Sequence, residues 1–265
     1  MPAHHVLILG GHGAIAQKLT PLLLRRAWTV TSVIRTAEQV PAVQRLAADL
    51  PGTLHVLVRS IDAVASQQAA QEILDEVKPD YIAWSAGAGG KGGAEATFKI
   101  DRDAAVHFIR AAAATPSVRR LLLVSYSGSR RKAAPWWQAA EWAEYDEKVN
   151  RGVLATYHQA KIVADEALYA ATRRGSGSTL TGICLRPGTL SDGPAGGVEL
   201  GKTKHVKGSV PRETVAKVAD ALLAADGVQS GWLDLLEGEE PVDDAVAKAV
   251  KEGVDAAEGE AIHQQ

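Results

Sequence analysis

The chain has 265 residues, 46% of them hydrophobic, enough to bury a full core without disulfides or structural metal. Its 29 basic and 31 acidic residues give a net charge of −2 and are spread along the chain, which argues against nucleic acid or an anionic membrane as the main partner. The single cysteine, Cys184, lies in the apolar run Ile183-Cys184-Leu185 and reads as a buried thiol; no metal-ligand spacing occurs.

The opening, Met1 to His5, leads into a β-rich stretch interrupted at Gly10, a pattern of neither a signal peptide nor a membrane span, so a cytoplasmic location is expected. Short apolar runs then alternate with longer amphipathic ones, as in parallel strands joined by helices. Strands are expected near 5–10, 29–35, 53–59, 80–84, 119–125, 179–185 and 232–236, and helices near 14–26, 37–49, 62–77, 95–114, 141–173, 212–225 and 241–256. These elements predict an α/β fold, one doubly wound and mostly parallel Rossmann sheet of about seven strands. A single domain spans 1–265, with 188–265 expected to contribute a small substrate lid and a C-terminal helix. Two glycine-rich loops, 87–93 and 188–208, leave carboxyl ends of strands, where ligands of such sheets bind. The tail 253–265 is polar and expected to fray.

The first strand runs into Gly10-Gly11-His12-Gly13-Ala14-Ile15-Ala16 and then an amphipathic helix. Such a turn lets the backbone approach a pyrophosphate while the helix N-terminus presents free N–H groups, so this is the expected dinucleotide site. Gly10 and Gly13 are the close-approach positions, and Ala16 packs helix on strand. His12 either decorates the loop or contacts a phosphate. The second strand ends Val33-Ile34-Arg35-Thr36 with no acid for a ribose 2′-OH; Arg35 would pair with a 2′-phosphate, which favours NADP(H) over NAD(H). Asp62 either meets the adenine or caps the next helix. Ala86 and Gly87 are small enough to lie along the cofactor.

Tyr157 and Lys161, four apart on an expected helix, share a face. An ammonium near the phenol would lower its pKa, making Tyr157 a general acid/base near neutrality with Lys161 as electrostatic partner and ribose anchor. Ser127 is the expected oxygen-orienting hydroxyl, with Ser125 as substitute.

With these residues in view, the chain resembles an atypical short-chain dehydrogenase/reductase of the NAD-dependent epimerase/dehydratase-like kind. The resemblance covers nearly the whole chain. It rests on the glycine turn, on Ile100-Asp101-Arg102-Asp103, on Tyr157-His158-Gln159-Ala160-Lys161 and on Leu185-Arg186-Pro187-Gly188-Thr189-Leu190. The segments 208–216 and 233–238 add to it. It implies that Pro187, Gly188 and Thr189 line the nicotinamide. Ala16 stands where a third glycine is common, and Tyr126 where relatives often carry a second serine, which leaves Ser125 and Ser127 as alternatives.

Trp136, Trp137 and Trp142, three of six tryptophans, follow the basic run Arg130-Arg131-Lys132. They form either an aromatic substrate wall or packing beneath a long helix. The segment around Gly196, Gly197 and Gly201 to His205 is a lid candidate, with His205 weighed as a second proton donor. The leading expectation is an NADP-linked oxidoreductase acting on a carbonyl or hydroxyl of a small molecule. The alternatives are an epimerase or dehydratase and a dinucleotide-sensing regulator without turnover.

Overall fold

The structure is a computed structural model that describes residues 3–90, 92–173 and 175–264. Met1 and Pro2 of the opening, Lys91 of the 87–93 loop and Gln265 of the tail therefore lie outside the described residues.

Val6-Leu7-Ile8-Leu9 is apolar at every position, as a strand covered on both faces must be, and it forms β1 (His5–Leu9) in the middle of the sheet. In chain order there follow α1 (Ala14–Arg25), β2 (Thr29–Ile34), α2 (Val40–Gln44), β3 (Thr53–Val58), α3 (Gln67–Val77) and β4 (Tyr81–Trp84). Next come α4 (Gly93–Thr97), α5 (Ala105–Ala114), β5 (Arg120–Val124), α6 (Ala139–Tyr145), α7 (Ala155–Thr172) and β6 (Thr181–Pro187). The chain ends with β7 (Thr189–Ser191), β8 (Gly197–Gly201), β9 (Ser209–Pro211), α8 (Arg212–Ala224), β10 (Gly231–Gly238) and α9 (Val242–Glu252).

Eight strands make one sheet in the order β3-β2-β1-β4-β5-β6-β10-β8, parallel except for β8 against β10. The order reverses between β1 and β4, which creates the crevice where ligands of doubly wound sheets bind. Alternate strand residues feed two cores. Val6, Ile8, Leu122 and Leu235 pack under α1, α8 and α9. Leu7, Leu9, Leu123 and Trp232 pack under α3, α5 and α7 on the other face.

Three expectations need correction. The loop 188–208 contains two strands, β7 and β8; β7 pairs with β9 as a small second sheet, and β8 extends the main one. The expected helix 141–173 is broken: α6 runs into a π-helical stretch, Asp146–Val153, interrupted at Gly152 with φ −100° and ψ −111° before α7 begins. The tail is docked as far as Glu260, because Ala256 and Ala257 are fully buried and Arg130, itself fully buried, donates to the carbonyls of Ala256 and Glu258.

Candidate functional site

The turn after β1 is built from glycines for steric reasons. Gly10 sits at φ +86°, and a Cβ there would lie 2.6 Å from the Ala86 Cα. Gly11, not among the expected close-approach positions, also has little room, since its Cβ would fall 1.8 Å from the Ser32 Oγ. The Gly13 amide donates to the Gly10 carbonyl at 2.8 Å, closing the turn, and Gly13 then serves as the N-cap of α1 without a side-chain cap. The Gln17 amide gives the bond to the Gly13 carbonyl at 2.9 Å, so the amides of Ala14, Ile15 and Ala16 precede it at the open helix end. Uncapped amides with the positive end of the helix dipole suit a pyrophosphate, and the residues present therefore fit a dinucleotide.

A cavity of about 650 Å³ opens at this point. Gly13, Ala14 and Ile15 form its wall beyond β1, and Ser85, Ala86 and Gly87 its wall beyond β4. Asp101 and Thr97 enter from the helical stretch across it, Ser125 from the end of β5, and Gly152 to Tyr157 from the break before α7. Leu190 and Arg212 close the remaining side, with Arg212 paired to Asp192 at 2.7 Å.

Tyr157, Lys161 and Asp165 recur every four residues on α7, so they lie along one face. That face crosses the end of β5. Lys161, nearly fully buried, donates to the Val124 carbonyl at 2.9 Å, and the buried Ser125 hydroxyl donates to Asp165 Oδ2 at 2.6 Å. Behind them the fully buried Arg186 reaches Asp165 at 3.4 Å and Asp234 at 2.8 Å. Asp101 lies in a π-helical stretch, Phe98–Ala104, a distortion that often marks functional positions. Its carboxylate accepts the Ala88 amide at 2.9 Å. Burial raises the Asp101 pKa, against the opposing pull of the Lys161 ammonium and the Ala88 amide.

The Tyr157 phenol departs from expectation. Burial first, then the Asp101 and Asp165 carboxylates, push it far above the ordinary tyrosine value rather than below it. Asp165 is not among the residues expected from the sequence, although its spacing of four beyond Lys161 is visible there. Asp101 was quoted there without a role.

The serines separate. Ser125 lines the cavity, whereas Ser127 donates to the Val206 carbonyl at 3.2 Å and stands outside the lining. Of the other expected residues, Pro187, Gly188 and Thr189 lie next to the cavity without lining it; the Pro187 carbonyl accepts the Ser127 amide, and Gly188 packs against Gly208 and Leu236. His12 is exposed on the turn, its carbonyl held by Gln17 at 2.7 Å. Arg35 is exposed beyond β2, and its backbone amide donates to Gln39 Oε1 at 3.0 Å. Asp62 sits in a short 3₁₀ turn, accepting from the Ser60 hydroxyl; Ser66, not Asp62, caps α3. His205 is exposed and pairs with Glu141 at 3.1 Å, away from the cavity lining. The tryptophans pack: Trp136 and Trp137 both donate to the Thr203 carbonyl, Trp137 and Trp142 are buried, and none lines the cavity.

Comparison with known proteins supplies the family and agrees with the fold. Residues 10–226 match a family described as NAD(P)H-binding. A UPF0659 protein of Schizosaccharomyces pombe is 31% identical over 93% of this chain and 95% of its own length. YhfK of Bacillus subtilis, named an uncharacterized sugar epimerase, is 28% identical over 92% of this chain and 99% of its own. Among solved structures, a Bacillus halodurans protein described as an NAD-dependent epimerase/dehydratase superposes with a TM-score of 0.72 at 23% identity, covering 93% of this chain and 100% of that one.

Proposed function

The chain belongs to the NAD(P)H-binding family and is Rossmann-like in the manner of atypical short-chain dehydrogenases/reductases, and from that premise we propose that it is an NADP-linked oxidoreductase reducing a carbonyl of a small molecule. One observation carries the reading: the open N-terminus of α1 and the Tyr157 phenol line the same cavity. A dinucleotide held at Gly13 to Ile15 and along Ala86 and Gly87 would supply the hydride when bound. Tyr157, kept protonated by its surroundings, gives the proton to the carbonyl oxygen, so the product is the alcohol. Lys161, through Val124, fixes the first turns of α7 against β5 and so places the phenol. The Gly152 break and Val153 to Thr156 form the rim that excludes water once substrate enters. Arg35, exposed beyond β2, supports NADP(H) as the preferred form because its guanidinium is free to meet a 2′-phosphate.

A second reading, an epimerase that uses the nucleotide transiently, draws on the likeness to YhfK. The test is NADPH consumption by the purified protein across a panel of aldehydes and ketones. Consumption matched by alcohol formation supports reduction. Tight NADPH binding with no turnover across the panel contradicts it and favours a sensing role.

A further inference from the structure

Ser125 has one hydroxyl proton, and the heavy-atom geometry assigns it to Asp165. Its hydroxyl lies 2.6 Å from Asp165 Oδ2, both groups are buried, and an ionised carboxylate can only accept. Asp165 is fully buried and pairs with the Arg186 guanidinium at 3.4 Å. Its other oxygen, Oδ1, has no hydrogen-bond partner among the described residues. Ser125 therefore presents lone pairs, not a proton, to the cavity it lines.

We propose that Asp165 is a positioning residue that turns Ser125 into a hydrogen-bond acceptor, and that the cavity selects carbonyl substrates bearing a hydroxyl beside the reacting carbon. The inference rests on the reductase reading above. The cavity's polar lining includes Ser85, Thr97, Thr156 and Arg212 as well, and within it the Tyr157 phenol stands as donor while Ser125 Oγ and the Asp101 carboxylate stand as acceptors. A simple ketone occupies the donor and leaves the lone pairs of Ser125 Oγ without a donor in a site that the ligand itself closes to water. A neighbouring hydroxyl satisfies both, since its proton goes to Ser125 while the ketone oxygen takes the proton of Tyr157. The stripe on α7 accounts for the closeness of the two contacts. Lys161 and Asp165 grip consecutive residues at the end of β5, Val124 and Ser125, and Tyr157 stands one turn earlier on the same face.

The experiment compares matched pairs with NADPH as reductant: hydroxyacetone with butanone, and 2-hydroxyacetophenone with propiophenone. Each pair differs by a hydroxyl in place of a methyl. The wild type is expected to favour the hydroxylated member by at least about tenfold in kcat/KM. Ser125→Ala removes the acceptor and brings the ratio within about twofold of unity. Asp165→Asn supplies an amide that donates to Ser125 and frees its proton, so the ratio shrinks or inverts even where both rates fall from loosening of Arg186. A loss of packing alone lowers both members together and leaves the ratio in place. A wild-type ratio near one, or a ratio unmoved in both variants, overturns the proposal. Turnover of no member despite bound NADPH overturns the reductase reading and this inference with it, whereas turnover without preference overturns this inference alone.

Discussion

Lys161 donates its ammonium to the Val124 carbonyl at 2.9 Å and makes no hydrogen bond to the Tyr157 phenol one turn before it. The lysine holds the helix in place, while burial and two carboxylates keep the phenol in its protonated form. A phenol that holds its proton is suited to giving it to an oxygen that is becoming an alkoxide, which is the reductive direction.

The pH dependence of reduction follows from that protonation. With the Tyr157 pKa raised above the ordinary value of 10.0, kcat for carbonyl reduction should show no loss from tyrosine ionisation as pH rises toward 10.0. A pH series of kcat at saturating NADPH checks this, and a tyrosine-dependent decline beginning near neutrality would contradict it.

Cofactor choice turns on Arg35. Arg35→Ala is expected to weaken NADPH binding roughly ten- to a hundredfold, by removal of a charge-assisted contact, and to leave NADH binding within about twofold. Fluorescence titration with both nucleotides measures the two effects. Equal losses for NADPH and NADH would place Arg35 outside 2′-phosphate recognition.

Asp101 makes a stability prediction with a definite sign. Its folded-state pKa lies above the unfolded value of 3.8, so the ionised group costs stability at neutral pH, and that cost fades as pH falls through the folded pKa toward 3.8. Asp101→Asn keeps an oxygen for the Ala88 amide while removing the buried charge. Its Tm should exceed that of the wild type at neutral pH, with the gain shrinking on acidification; a gain independent of pH would be inconsistent with this account.

The docked tail depends on Arg130. This guanidinium is fully buried, pairs with Glu260 at 3.4 Å and stacks over Trp136, Trp137 and Trp232. Burial and the nearby Arg186 charge lower its pKa to about 10, leaving it charged at neutral pH. Arg130→Met should cost about 3–5 kcal/mol, because Glu260 is left buried with the Arg131 amide but without its cationic partner. Denaturant unfolding gives the magnitude, and limited proteolysis should show earlier cleavage after residue 253.

The parallel half of the fold was legible because its strands are covered on both faces and so read as unbroken apolar runs, such as Val6 to Leu9 and Leu121 to Leu123. The segment from Thr189 to Pro211 was not, since its strands are short and glycine-flanked: Gly197 and Gly201 bound β8 and read as a loop. Gly152 broke an expected helix for a related reason, as a residue tolerated inside a helical pattern but able to leave it. Within the site, the glycine turn and the Tyr157–Lys161 spacing were visible. The direction of the phenol's shift was not, because it depends on burial in the folded chain and then on Asp101, which approaches from a different helix. The tail misled because its polar composition conceals Glu260 and two alanines that meet a buried arginine more than a hundred residues earlier.

The most direct measurement is the rate of NADPH-dependent carbonyl reduction by wild type and Tyr157→Phe, with NADPH affinity titrated for both. Loss of the proton donor should lower kcat by about 10²–10⁴-fold and leave NADPH affinity within about twofold. Turnover by Tyr157→Phe within a few-fold of wild type, at equal NADPH affinity, would contradict the assignment of Tyr157 as the proton donor and with it the proposed mechanism.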